Sequence, residues 1–354
     1  MSDEIVVPKG LANVVVDTTS IATTGASGNL LYRGYRAVEL AEKKSFEEVA
    51  YLIVNGRLPT QNELATFKNE LNSNMVIDES VLKIMDLLRE KNLMRNIRSM
   101  ISLYPYKTGD DQSLFTQMEA KMPLLTSYSA SSIKGTPRKT PTGTDFSQKF
   151  YSLITEKENK NWKSFEKLMI LYLEHEFNAS TFALRVATST LTDPISAVTA
   201  ALATLKGPLH GGANSEVLTY LSGIENEKDA MKFVEGKLER KDKIMGFGHR
   251  VYKKKDPRAM FVREELRRIA PKDQKFIAAE LVENYMFEKK GLPANVDLYA
   301  AVLMDYLGIN EMFYLPVFAC SRIFGWNAHY FEQISNNKII RPASKYNGEE
   351  ERNL

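Results

Sequence analysis

Two short loops that place a histidine among glycines are the part of the sequence best suited to chemistry. Residues 207–214 read GPLHGGAN and contain His210, and residues 246–250 read GFGHR and contain His249. Glycine lets a ligand approach the main chain closely, so a histidine in such a turn is presented to a cavity. Its pKa near neutrality suits a neutral donor or a proton carrier. One such histidine is equally well explained as a turn residue bonded to backbone, but two favour an active site.

Composition and charge limit the classes of protein that fit. The chain has 354 residues, enough for two domains, and 44% of them are hydrophobic, as in ordinary soluble globular proteins. The 47 Lys and Arg nearly balance the 44 Asp and Glu, so bulk charge indicates no nucleic-acid or membrane partner. No signal peptide is evident, and Cys320 lies in an apolar helical pattern that predicts a buried thiol. We therefore expect a cytoplasmic protein.

Several cofactor-dependent chemistries find no support in the motifs. The G-x-G at 246–248 has no third glycine at position 251, so a dinucleotide fingerprint fails, and no P-loop occurs. There is no His-Glu-x-x-His and no cysteine cluster. The sequence predicts neither a metal site nor a cofactor.

Hydrophobic periodicity predicts a mainly α-helical fold with a short N-terminal β-hairpin. The hairpin is expected from β-prone runs at 14–21 and 29–32, and residues 126–145, rich in Ser, Thr, Gly and Pro, are predicted to be a loop. Helices are expected at 46–54, 61–71, 194–205, 257–270, 272–289 and 296–307. The first two of these begin with the capping-box pairs Ser45/Glu48 and Thr60/Glu63.

For several charged or polar side chains, the sequence allows both a structural and a functional explanation. His175 lies in a polar interruption, 174–178, of an apolar helical pattern, which is costly unless those groups are paired or meet a ligand. Asp297 begins a helix and on spacing alone is a capping or first-turn carboxylate. Arg258 follows Pro257 in a first helical turn, where helix amides and the guanidinium could converge on one anion. Arg322 lies in an apolar helix, where a buried salt bridge is the alternative to ligand binding.

Four segments together resemble one known family. Residues 208–214, 246–252, 256–258 and 295–297 are similar to the signature segments of citrate synthases, in the order and approximate spacing of that family. The resemblance extends from about residue 10 to residue 348. It implies a two-domain helical fold, with a large helical domain of residues 1–211 completed by 313–354. A smaller domain of residues 212–312 would close over the active site.

The resemblance also implies an activity and a set of roles. Acetyl-CoA would condense with oxaloacetate through an enol(ate), and citryl-CoA would then be hydrolysed to citrate and CoA, as in the tricarboxylic acid cycle. Asp297 would remove the methyl proton, His210 would donate a hydrogen bond to the thioester carbonyl, and His249 would polarise the ketone and protonate the alkoxide. Acetyl-CoA is a co-substrate, so no cofactor is implied.

The remaining roles that the resemblance implies concern binding and assembly. His175, Arg258 and Arg322 would bind oxaloacetate or citrate. Arg341, otherwise an exposed basic residue, would act in the neighbouring subunit's site of a homodimer. Arg250 and Lys253 belong to a basic run that is commonly a solvated face, and here they would contact CoA. His329 is expected to serve packing or subunit contact.

Two other functions stay open at the level of sequence. A 2-methylcitrate synthase, which uses propionyl-CoA, needs the same catalytic set, and the extra methylene is worth only about 1–3 kcal/mol in a pocket. A non-catalytic helical dimer could retain a pocket for carboxylates or CoA. That reading predicts the loss of a catalytic residue, whereas His210, His249 and Asp297 are all present.

Overall fold

The computed structural model of the chain is built almost entirely from helices. It describes residues 5–25, 28–88, 91–156, 159–211, 213–249, 251–252 and 255–353. The helices are α1 Ala37–Lys43, α2 Phe46–Asn55, α3 Gln61–Asn74, α4 Glu79–Leu87, α5 Leu93–Leu103, α6 Asp111–Lys134, α7 Phe146–Ile154, α8 Lys163–Tyr172, α9 Ala179–Thr188, α10 Pro194–Leu205, α11 Ala213–Leu221, α12 Glu227–Glu239, α13 Pro257–Ile269, α14 Gln274–Lys290, α15 Val296–Tyr306 and α16 Tyr314–Ser335. The predicted mainly α class is confirmed.

A small antiparallel sheet precedes the helices. Its strands are β1 Ala22–Thr23, β2 Leu31–Tyr32 and β3 Tyr35–Arg36, paired in the order β1-β2-β3. The predicted strand at 29–32 is confirmed in β2, but the prediction of a strand over 14–21 is wrong, because residues 14–21 form no strand and Val15 is 87% exposed. β-branched residues favour an extended chain, yet a strand forms only where a neighbouring strand accepts its hydrogen bonds.

Local capping chemistry sets the starts of α2 and α3 as predicted. The Ser45 amide donates to Glu48 over 2.9 Å while the Glu48 amide donates back to the Ser45 hydroxyl over 3.3 Å. Thr60 and Glu63 make the same reciprocal pair over 2.8 and 3.4 Å. Each box satisfies amides that the first helical turn leaves without partners.

The loop predicted over 126–145 is wrong in its first half. Helix α6 continues to Lys134 and ends at Gly135, whose φ of 65° is left-handed. Part of the serine-rich run is buried against other helices: the Ser127 hydroxyl donates to the Leu153 carbonyl of α7 over 2.9 Å. Tertiary partners therefore override the weak helix propensity of serine and threonine. Residues 135–145 form the connecting loop.

The cysteine prediction is confirmed. Cys320 is buried in α16, its sulfur lies 3.5 Å from the Thr126 hydroxyl, and burial raises the pKa of the thiol to about 12. A thiol in this environment is a packing group. In the part of the chain that the structure describes, no helix combines the length and apolar character needed to cross a membrane.

Helix α16 is the central packing element. It contacts α2, α6, α8, α9 and α10, and its residues Trp326, Phe324 and Ile323 are fully buried. Gly325 faces the end of α8, where a Cβ atom would overlap the Leu173 carbonyl oxygen and the Glu174 carboxylate. This glycine allows the two helices to approach closely.

We expect Gly325→Ala to lower the free energy of unfolding by about 1–3 kcal/mol, because a backbone carbonyl cannot move away from the added methyl group. Gly236→Ala, in the middle of α12, is the matched control. A Cβ there meets only the Arg240 side chain, at 3.4 Å, so removing the glycine should stabilise the protein by about 0.5–1 kcal/mol. Thermal unfolding midpoints of the two variants should move in opposite directions. Equal midpoints would contradict the prediction.

Candidate active site

His175 is positioned by a break between α8 and α9. The apolar pattern that spans them is two helices, because Asn178 caps α9 through a 3.1 Å bond from the Thr181 amide and Glu176 takes a left-handed φ of 50°. The Tyr32 hydroxyl lies 3.1 Å from the carbonyl oxygens of both Leu171 and Glu174. The carbonyls freed at the end of α8 thus find partners outside the helix.

The His175 ring is buried against the second histidine loop. Its centroid lies 5.1 Å from that of His249 and 5.5 Å from that of Tyr252. Burial lowers its pKa well below the usual range, and the cation of Arg258 adds to the effect. Its Nε2 has no hydrogen-bond partner among the described residues. The ring is therefore neutral, with one nitrogen open to a ligand.

The His249 loop is joined to the start of α15. Gly246 has a φ of 89°, and a Cβ on it would lie 3.0 Å from the Leu298 Cβ, so this turn requires glycine. The Asn295 side chain donates to the Gly248 carbonyl over 2.9 Å. His249 Nδ1 accepts from the amides of Val251 and Tyr252 over 3.1 and 3.2 Å. A neutral ring then carries its hydrogen on Nε2, so the 3.5 Å separation between Nε2 and Arg258 Nη2, which is itself a donor, is a contact and not a hydrogen bond.

Arg258 forms a salt bridge with the nearby Asp256 carboxylate. Its Nε and Nη2 donate to the two Asp256 carboxylate oxygens over 3.1 and 2.9 Å, and its amide donates to Asp256 Oδ1 over 3.0 Å. The convergence of helix amide and guanidinium expected from the sequence thus exists, but Asp256 occupies it. Asp256 Oδ2 also accepts from the Val296 amide over 3.1 Å. One buried carboxylate therefore fixes both Arg258 and the first turn of α15.

Asp297 lies in that first turn. The cap of α15 is Asn295, which accepts from the Asp297 amide over 3.0 Å, so Asp297 is not the capping group. Within the described ranges its carboxylate makes no hydrogen bond and no ion pair. Burial raises its pKa to about 6, against the opposing charge of Arg258. A carboxylate of this kind is still ionised at neutral pH and is a stronger base than an exposed aspartate.

His210 follows α10 and faces the N-terminus of α9. Its Nε2 lies 3.3 Å from the Ser180 amide nitrogen and 3.0 Å from the Ser180 hydroxyl. The amide can only donate, so Nε2 is the acceptor and the hydrogen is on Nδ1. Burial, with the charge of Arg322, lowers the pKa of the ring to about 4. His210 is therefore a neutral hydrogen-bond donor across the physiological range.

Arg322 is a buried cation with open donors. Its Nε donates to the Tyr172 carbonyl over 2.8 Å and its guanidinium lies 4.4 Å from the Phe318 ring centroid. Nη1 and Nη2 are buried and have no hydrogen-bond partner in the described part of the chain. Burial lowers its pKa to about 10, which leaves it charged at neutral pH. The salt bridge considered for Arg322 is not formed among the described residues, and such donors call for an anion.

The structure brings together six of the predicted site residues: His175, His210, His249, Arg258, Asp297 and Arg322. They are linked by ring contacts, by the Asp256 bonds, and by the charges of Arg258 and Arg322, which act on the pKa values of His175, His210 and Asp297. Arg341 is exposed on the C-terminal segment, whose Ile340 amide donates to the Ser189 hydroxyl over 3.0 Å. Arg250 and Lys253 lie outside the described residues.

Sequence reasoning missed the residues that orient the site. Asp256, Ser180 and Tyr252 bind or flank the predicted groups, yet none was singled out. For Asp256 a signal existed, because an aspartate before a proline is the same helix-start pattern as at Asp193. Nothing local marks Ser180 or Tyr252, whose partners lie in other loops.

Comparison with known proteins identifies the family to which this helical chain belongs. The sequence model described as "Citrate synthase, C-terminal domain" matches residues 10–343, and the chain belongs to the citrate synthase family. The protein is accordingly an enzyme, an acyltransferase that converts the acyl group into an alkyl group on transfer.

Relatives of two kinds resemble the chain over nearly its full length. A 2-methylcitrate synthase of Shewanella oneidensis is 38% identical and the match covers 96% of this chain and 94% of the relative. A citrate synthase of Synechocystis is also 38% identical, with coverage of 99% and 93%.

Solved structures agree with the family and the fold. The citrate synthase of Thermotoga maritima has a TM-score of 0.91 at 36% identity, covering 98% of this chain and 97% of its own. A citrate synthase of Thermoplasma acidophilum, solved as a ternary complex with carboxymethyl coenzyme A and oxaloacetate, has a TM-score of 0.89 at 30% identity, with coverage of 98% and 97%.

Proposed function

We propose that the protein is a citrate synthase that condenses acetyl-CoA with oxaloacetate and hydrolyses the resulting citryl-CoA. The observation that carries the proposal is the pair of open Arg322 nitrogens, buried close to two neutral histidines. A fixed guanidinium fork suits a carboxylate, and a dicarboxylate needs more than one such donor set. Arg258, with Asp256 already bonded to two of its nitrogens, would supply the second cation.

Enolisation is assigned to Asp297 and His210. The Asp297 carboxylate, free of described partners and with a pKa near 6, would take a proton from the acetyl methyl group. As the electron pair moves to the thioester oxygen, the His210 hydrogen on Nδ1 would bond that oxygen. A neutral donor of this kind matches the developing enol better than a charged one.

Carbon–carbon bond formation is assigned to His249. The enol carbon attacks the ketone of oxaloacetate, and the new alkoxide takes the proton from His249 Nε2. Water then attacks the citryl thioester, giving a carboxylate and CoA thiol, and a proton of that water returns to the ring. The two amides that bond Nδ1 keep the ring oriented through these steps.

Motion and assembly form part of the same proposal. The smaller domain of residues 212–312 would close over the substrates, as lids do to exclude water. In a homodimer Arg341, exposed in the single chain, would enter the neighbouring subunit's site. Arg250 and Lys253 would contact CoA phosphates. A cytoplasmic location and a place in the tricarboxylic acid cycle go with this function.

The second candidate is 2-methylcitrate synthase, favoured by the relatives that carry that name at equal identity. It would use the same residues on propionyl-CoA, and the difference is one methylene in the acyl pocket.

The test is release of CoA thiol by the purified protein with acetyl-CoA and with propionyl-CoA, each with and without oxaloacetate. Oxaloacetate-dependent release that favours acetyl-CoA is the expected result. A preference for propionyl-CoA in kcat/KM would move the assignment to the second candidate. Absence of oxaloacetate-dependent release with both thioesters would contradict the proposal.

We expect Arg322→Met to weaken oxaloacetate binding by about 100-fold or more, because a charge-assisted carboxylate contact is lost. The unliganded variant should unfold at no lower temperature than the wild type, since an incompletely paired buried charge is removed. Lys121→Met is the matched control: Lys121 is also a buried cation, bonded to the Asn74 carbonyl over 2.8 Å. Calorimetric titration should show wild-type oxaloacetate affinity for that control, and equal loss in both variants would refute a specific role for Arg322.

A further inference from the structure

A chain of buried polar side chains lies behind the substrate-binding residues. The His329 Nε2 is 2.9 Å from Glu174 Oε1, and its Nδ1 is 3.2 Å from Arg185 Nη1. Arg185 donates in turn to Glu332 over 2.8 Å and to Asp17 over 2.9 Å. Glu174 and His329 are 0% exposed and Arg185 is 1% exposed. None of these residues has a part in the proposed chemistry.

The neighbours of His329 fix its tautomer. A guanidinium can only donate, so Nδ1 must accept from Arg185, and the hydrogen is therefore on Nε2, where it is donated to Glu174. A second ring hydrogen on Nδ1 would point at the Arg185 N–H group. In this tautomer His329 accepts on one side and donates on the other.

Glu174 joins this chain to the binding residues. It precedes His175 directly in the break after α8. Two residues before Glu174, the Tyr172 carbonyl accepts a hydrogen bond from Arg322 Nε. Its Oε2 is buried and has no hydrogen-bond partner among the described residues. Gly325 lets α16 press directly against this carboxylate. The position of Glu174 therefore sets where His175 and Arg322 stand relative to each other.

The charge of Glu174 supports the same link to Arg322 as its position does. Burial lowers the pKa of Arg322, and the Glu174 carboxylate is the strongest influence that raises it again. The other groups that face Arg322 are the Tyr32 and Tyr172 hydroxyls, which act with Glu174, and Arg258, which acts against it. Glu174 thus offsets part of the cost of holding Arg322 without a bound anion.

We propose that Glu174 and His329 are positioning residues for oxaloacetate binding: the Arg185–His329–Glu174 chain holds the break that carries His175 and fixes Arg322 for the substrate carboxylate. The inference rests on the function proposed above and adds two residues to it. Neither residue touches substrate. Their effect reaches the substrate through His175 and Arg322.

Two simpler possibilities predict different results. A network that only stabilises the fold would change the unfolding midpoint and leave ligand affinity unchanged. A carboxylate that acted only through its charge would repel a dicarboxylate, so its neutralisation would tighten oxaloacetate binding. The positioning role predicts weaker oxaloacetate binding with unchanged use of acyl-CoA.

The experiment compares four variants of the full-length chain. Glu174→Gln removes the charge at constant shape, and His329→Leu removes both hydrogen bonds. His329→Gln restores them, because an amide can donate to Glu174 and accept from Arg185 at once. Glu119→Gln is the control for replacing a buried glutamate at constant shape: Glu119 accepts from Asn327 of α16 over 2.8 Å, and burial raises its pKa to about 8. Oxaloacetate affinity is measured by calorimetry without acyl-CoA, alongside both KM values and thermal unfolding midpoints.

We expect Glu174→Gln and His329→Leu to raise the Kd and KM for oxaloacetate about tenfold, with the KM for acyl-CoA within about twofold of wild type. His329→Gln should stay within about threefold of wild-type affinity, and Glu119→Gln should match wild type. The inference would be overturned if Glu174→Gln bound oxaloacetate as tightly as wild type or more tightly. It would also be overturned if a folded His329→Gln lost as much oxaloacetate affinity as Glu174→Gln. A wild-type protein that does not bind oxaloacetate would instead overturn the proposed function.

Discussion

Asp297→Asn should lower kcat by about 10²–10⁴-fold, the usual effect of removing a general base. The amide keeps the shape of the carboxyl group and cannot accept the methyl proton. Oxaloacetate affinity should stay within about threefold, because the cations proposed to bind oxaloacetate are Arg258 and Arg322. Stopped-flow or steady-state measurement of CoA release, with calorimetry for binding, separates the two effects.

The pH profile of the wild type provides a second measure of the same residue. Asp297 acts as a base only when ionised, and burial raises its pKa to about 6. The rate should therefore fall as pH drops through about 6, well above the range in which an exposed aspartate titrates. Asp305→Asn is the matched control, since Asp305 lies on the same helix and pairs with Lys275 over 2.6 Å. Full activity in Asp297→Asn would exclude this residue as the base.

His210→Ala should lower kcat by about 10²–10³-fold, the effect expected when one donor to a developing oxyanion is removed. The pKa of the ring is lowered to about 4, so it remains neutral from pH 5 upward and should not contribute to the acid limb of the profile. Leu209→Ala, at an 88% exposed position in the same loop, should retain wild-type activity. Wild-type kcat in His210→Ala would exclude this residue as the donor to the enolate.

Features decided by nearby residues were predictable from the sequence. The capping boxes of Ser45 and Thr60 act within one helical turn, and both helices begin where those pairs indicate. The glycine-flanked His210 and His249 were identified for the same reason, because the glycines that shape a turn are adjacent in sequence. The polar interruption around His175 also indicated that paired groups or a ligand would be found there.

Features decided by distant partners were not predictable. Ser127 lies in a helix where its hydroxyl bonds a carbonyl of α7. The valines at positions 15 and 16 form no strand, because no strand lies beside them. The link from His329 to Glu174 spans 155 positions and leaves no periodic or local signal.

The four hydrogen bonds accepted by Asp256 couple two parts of the site. One carboxylate holds both the Arg258 guanidinium and the first turn of α15, which carries Asp297. A substitution at position 256 therefore changes both proposed functions, substrate binding and proton removal, and cannot alter one of them alone.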